Sequence, residues 1–164
     1  MINNAIAQSA QPIISYNYGC GKTARVNRAI RLSIGTALLC GLAVTILTWL
    51  FSKPLVGAFL KPDCNAYRIA VEGIPLFAMG FVFFAFNIAS IGYYQSIEKA
   101  RRATIFTLLR GFFFMIICFL TLPYLLGVKG IWLSIPCSEL LTALVITGVY
   151  FFDPKTFHKS KFSI

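Results

Sequence analysis

Gly73–Tyr94 reads GIPLFAMGFVFFAFNIASIGYY, 22 residues without a charged side chain. As an α-helix rising about 1.5 Å per residue, such a run crosses a hydrocarbon core of about 30 Å. Three further runs accompany it: Leu32–Phe51, Ala103–Leu126 and Gly130–Phe152. A water-soluble domain of 164 residues does not carry four of them. The expectation is an all-α membrane protein with spans at about 32–51, 70–95, 102–126 and 130–152.

Composition agrees. Hydrophobic residues make up 58% of the chain and charged residues 12%, against about 25% charged in a typical soluble domain. A net charge of +10 would point to nucleic acid in a soluble protein. Here the basic residues flank the apolar runs, which is how a membrane protein sets its orientation, so no nucleic-acid partner is expected. Cys20, Cys40, Cys64, Cys118 and Cys137 form no CxxC pair, and neither a metal site nor a disulfide framework is expected. His158 stands in a basic tail, 153–164. With no Ser/His/Asp, HExxH or paired-carboxylate constellation, an enzyme is not expected. Residues 1–18 lack the basic and apolar regions of a signal peptide.

The loops orient the spans. Lys22, Arg25, Arg28 and Arg31, then Lys99, Arg101 and Arg102, then Lys155, Lys159 and Lys161 fall on one side. Lys53, Lys61, Arg68 and Lys129 fall on the other, ten against four. The richer side should be cytoplasmic, the C-terminal tail with it. Trp49, Tyr93, Tyr94, Tyr124, Trp132 and Tyr150 lie near run ends, as an interfacial aromatic belt would. Phe59–Asp63 in the outer loop reads as a short interfacial helix ending in a turn.

Small and polar residues inside the runs define contacts. Ala78, Ala85, Ala89, Gly92 and Ser96 form one helical seam; Gly73, Gly80 and Asn87 form a second. Small residues let backbones approach closely, so this helix should have neighbours on both sides. Asn87 is a candidate for an interhelical hydrogen bond or a ligand contact. Arg110 lies about 10 Å into the third run, a depth from which Arg also snorkels to the interface. Glu139 lies near the middle of the fourth run, where an acid is a functional candidate; it is either neutral or paired with a cation. Arg110 and Glu139 occupy consecutive antiparallel helices at depths differing by about 6 Å. A pair or shared polar cluster is expected, either structural or coupled to movement of H⁺ or Na⁺. Pro75 and Pro136 each remove a helix hydrogen bond and permit a kink.

A family pattern overlies these residues. Gln11-Pro12-Ile13-Ile14-Ser15-Tyr16-Asn17-Tyr18-Gly19, followed by Lys22 and Arg25-Val26, resembles the loop after the eighth helix of multidrug and toxic compound extrusion (MATE) transporters. Tyr94-Gln95-Ser96 with Lys99-Ala100 resembles the cytoplasmic end of the tenth helix, and Leu108-Leu109-Arg110 the eleventh. Leu122-Pro123, Gly127, Gly130-Ile131-Trp132 and Pro136-Cys137-Ser138-Glu139 resemble the turn into the twelfth. Gly111 stands where the family commonly has Gln, and Glu98 where it commonly has Gly.

The resemblance implies twelve helices in two six-helix lobes, exchanging drug-like, often cationic compounds for H⁺ or Na⁺ across the plasma (inner) membrane. No other cofactor is implied. Residues 1–152 would supply part of the C-terminal lobe, from the end of helix eight to helix twelve. Residues 1–18 read as the last turns of a helix, because Asn3, Asn4 and Gln8 leave too short an apolar stretch to span. The expected partners are membrane lipid, the drug-like substrates of the whole transporter and a missing N-terminal lobe, without which transport is not expected. Two other readings stand beside this one. One is a lipid-linked polysaccharide flippase; the other is a small assembly protein that packs on other membrane helices.

Overall fold

The computed structural model describes residues 1–152. The basic tail, with His158, lies outside the described residues. Eight α-helices follow one another: α1 (Ile2–Gly19), α2 (Thr23–Leu50), α3 (Ser52–Gly57), α4 (Asn65–Ala78), α5 (Gly80–Ser96), α6 (Ala100–Leu108), α7 (Phe114–Leu126) and α8 (Val128–Phe152). A π-helical turn, Leu109–Phe113, joins α6 to α7. Four stretches are long and apolar enough to cross a membrane: Thr23–Leu50, Asn65–Ser96, Ala100–Leu126 and Val128–Phe152.

Several boundaries differ from the expectation. Gln11–Gly19 is not the loop that the resemblance implies but, as the reading of residues 1–18 has it, the last turns of a helix, α1, which runs for 18 residues. The chain leaves the helix only at Gly21, whose φ of +68° suits glycine. The second run is two helices meeting at Met79, four residues beyond Pro75, whose missing N–H leaves the preceding turn one bond short. The outer short helix is Ser52–Gly57, not Phe59–Asp63. Pro54 sits in its first turn, where a fixed φ suits a helix start.

α5 is the axis of the bundle. It packs on α1, α2 and α8. The first small-residue seam, which starts at Ala78 of α4 and continues along α5, meets α2 and then α1. Ala85 and Ala89 close on Ala37, Gly92 lies against Ala7, and Thr45 Oγ1 donates to the Ala78 carbonyl at 2.9 Å. The second seam meets α8. Gly73 lies under the Trp132 indole, and Gly80 lies on the Pro136 ring and backbone. The neighbours on both sides follow from the two seams, since only such residues admit backbones this close.

The main apolar core lies at the end carrying Lys22, Arg25, Lys99 and Arg101. There Ile14 of α1, Val26 and Ile30 of α2, Ile97, Phe106 of α6 and Ile146 of α8 bury together. Tyr93 and Tyr94 belong to this core rather than to an aromatic belt. The Tyr94 ring meets Phe106 edge-on at 5.2 Å. By contrast α7 buries only Cys118 and exposes Leu120, Tyr124 and Leu125, the surface expected of a helix facing hydrocarbon.

Two backbone devices close the turns at the basic end. After α5, the Glu98 N–H bonds the Gln95 carbonyl and the Lys99 N–H the Tyr94 carbonyl, at 3.3 and 3.0 Å. This is the Schellman arrangement, which places its C′ residue in the left-handed region. Glu98 holds φ +61° there, a region that suits glycine better. α1 ends the same way, with Gly21 at C′. Glu98→Gly is therefore expected to stabilise the fold by about 0.5–1 kcal/mol, read as a rise in Tm in mild detergent. At the α7–α8 corner a Cβ on Gly130 would meet the Leu122 carbonyl, which is backbone and cannot yield. Gly130→Ala should cost about 1–3 kcal/mol. Gly148→Ala, with open space around it, should cost nothing measurable in the same melt.

Candidate functional site: a buried carboxylate between two spans

Glu139 lies halfway along α8, one turn after Pro136, and is buried. Asn87 lies halfway along α5 on the seam that begins at Gly73 and Gly80, and has no exposed surface. The close approach of α5 to α8 at Gly80 and Pro136 is what lets this short amide reach across. Asn87 Nδ2 donates to Glu139 Oε2 at 2.7 Å and to the Glu139 backbone carbonyl at 2.8 Å.

The second carboxylate oxygen takes the charge partner. Arg110 Nε donates to Glu139 Oε1 at 2.6 Å. The side chains are 20% and 6% exposed, so the pair is largely withdrawn from its surroundings. Arg110 lies within the π-helical turn, whose extra residue re-aims the side chains around it. Its guanidinium also sits 4.4 Å above the Phe84 ring of α5, a cation–π contact. The three residues Glu139, Arg110 and Asn87 thus form one cluster. Asn87 Oδ1 is buried there without a hydrogen-bond partner.

Arg110 forms part of the wall of two cavities. One, of about 250 Å³, lies beside Glu139 and is walled mainly by Phe77, Phe81, Phe84 and Met115. The other, of about 180 Å³, is lined by Asn4, Gln8 and Gln11 of α1 with Gln95 and Thr107. Asn4, Gln8 and Gln11 are spaced four and three residues apart, so they make a polar stripe on one face of α1. Asn4 and Gln8 are exposed, yet both stand on the wall of this cavity. Spacing alone contained that signal, which a reading of helix length misses.

Of the motif residues in α1, only Gln11 reaches this region: its Nε2 donates to Gln95 Oε1 at 3.0 Å. Pro12, Tyr16 and Gly19 face outward. Asn17 is buried and donates to the Ile13 carbonyl of its own helix at 2.8 Å. Phe84, Gln95 and Thr107 are site residues that the run-by-run reading did not single out.

The MatE family model matches residues 1–120. This chain belongs to the MatE family. Its fold is similar to an outward-facing multidrug resistance MATE family transporter of the MOP superfamily, at TM-score 0.84 and 17% identity over 94% of this chain and 35% of that one. An inward-facing conformation of such a transporter matches at TM-score 0.85, also 17% identical, over 95% of this chain and 36% of that one. The MATE multidrug transporter DinF-BH, solved as a complex, matches at TM-score 0.83 and 26% identity, over 94% of this chain and 34% of that one. The chain therefore spans about a third of the length of these transporters. No curated protein sequence is matched. Family and helices together make this a multi-pass membrane protein of the MatE family.

Removing one partner of a buried pair leaves an uncompensated charge, at a cost of about 3–5 kcal/mol, whereas replacing both with apolar residues is often neutral. Glu139→Leu and Arg110→Met alone should each lower Tm in detergent markedly, and the Arg110→Met/Glu139→Leu double variant should recover most of the loss. Additive losses in this cycle would show that the two side chains do not stabilise each other.

Proposed function

We propose that this chain is the C-terminal portion of a multidrug antiporter, and that Glu139 is the acid whose occupancy by H⁺ or Na⁺ is coupled to the movement of drug-like, often cationic compounds. The observation that carries this is the Arg110–Glu139–Asn87 cluster at the wall of two cavities. An intramembrane acid held by a cation is a two-state element. While ionised, Glu139 holds Arg110; a proton or Na⁺ on the carboxylate weakens that attraction and frees the guanidinium toward the polar cavity. The unpartnered Asn87 Oδ1 offers an acceptor for the incoming ion. A ligand shifts such an equilibrium only by binding one state better than the other, and the carboxylate supplies that difference.

In this reading a complementary N-terminal lobe supplies the opposite wall of the substrate pathway. The near-equal likeness to inward- and outward-facing folds supports a unit that keeps its internal packing while the lobes rock. The ten-to-four loop charge bias supports a C-terminus in the cytoplasm. The test is efflux of ethidium from cells in which the chain is assembled with the preceding two-thirds of a MatE transporter. An imposed H⁺ or Na⁺ gradient should accelerate efflux, and Glu139→Gln should abolish that acceleration. Equal gradient dependence in Glu139→Gln would remove Glu139 from coupling.

A further inference from the structure

A further cavity lies apart from the Glu139 cluster. α2 and α8 each pack along α5, and a cleft of about 550 Å³ remains between them, floored by Phe86, Ser90, Tyr93 and Tyr94. Its two ends differ in chemistry. Asn27 and Arg31, one helical turn apart on α2, stand with Tyr150 of α8 near the basic end of the bundle. Ile34, Phe86 and Ile146 line it further in. Arg31 is exposed and no carboxylate pairs with it among the described residues. It lies about 12 Å along α2 from Thr23, below the level of Lys22, Arg25 and Arg28. A cleft with cationic and amide groups at its mouth and hydrocarbon walls below matches a molecule built in the same order.

We infer that this cleft binds an anionic phospholipid, with the headgroup phosphate on Arg31 and Asn27 and one acyl chain against Ile34, Phe86 and Ile146. Basic pockets between spanning helices take anionic headgroups for the same reason: the lipid brings the counter-charge and the hydrocarbon together. The inference stands independently of the role proposed for Glu139.

The test is native mass spectrometry of the full chain in mild detergent with phosphatidylglycerol or phosphatidylcholine added. Phosphatidylglycerol should be retained in preference to phosphatidylcholine. Arg31→Gln should reduce its retention about fivefold, the effect of one basic contact at a membrane surface. Arg28→Gln, outside the cleft, should leave it unchanged. Ile34→Trp, which fills the apolar part while keeping Arg31, should also reduce it. Equal retention of the two lipids would overturn the anionic-headgroup site, and equal losses for Arg28→Gln and Arg31→Gln would overturn it in favour of diffuse charge attraction. Displacement of the lipid by inorganic phosphate would overturn the acyl-chain part and leave a phosphate site.

Discussion

A carboxylate in the middle of a membrane span is unstable unless something answers its charge, and the arrangement around Glu139 follows from that constraint. Both of its oxygens are engaged, one by the Arg110 guanidinium and one by the Asn87 amide. For a short amide on α5 to reach α8, the two backbones must nearly touch. Gly80 on Pro136 makes that approach possible, and Gly73 beneath Trp132 brings α4 equally close to α8. For Arg110 to point inward, the third span departs from α-helical geometry and forms a π turn. Seam, turn and ion pair are parts of one solution to one electrostatic problem.

The bundle has its main core at the basic end, beside the cleft between α2 and α8, and smaller cavities toward the middle. At the basic end, five helices bury aliphatic and aromatic side chains together, and two Schellman turns fix the loops between them. Toward the middle, packing gives way to cavities on either side of Arg110. α7 contributes mainly to the lipid-facing surface, so the third span works chiefly through its π turn.

Much of this is legible in the residues. The spans follow from run length and the two seams of α5 from a 3.6-residue period. The Arg110–Glu139 pairing follows from rise per residue on antiparallel neighbours. These are one-dimensional regularities that survive folding unchanged. What escapes are features set by competition between neighbours. Tyr93 and Tyr94 sit near a run end, as belt residues do, yet α2, α6 and α8 cover them. Asn4 and Gln8 read as interruptions of a span, yet they face a polar cavity formed with α5 and α6. The motif from Gln11 to Gly19 resembles a loop of the family, yet its backbone bonds continue to Gly19.

The sequence by itself determined that this chain crosses a membrane, which ends of its helices carry the positive charge, which faces of α5 must meet other helices, and that an acid and a base lie at neighbouring depths. Those properties depend on hydropathy, charge and helical spacing along a single strand. Only the tertiary structure decided that Asn87 completes the Glu139 cluster, that Arg110 works from a π turn, and that a cleft beside Arg31 lies between α2 and α8. Each of those depends on how far apart two helices come to rest. That separation is set by the contact between their side chains and backbones, which no one helix contains.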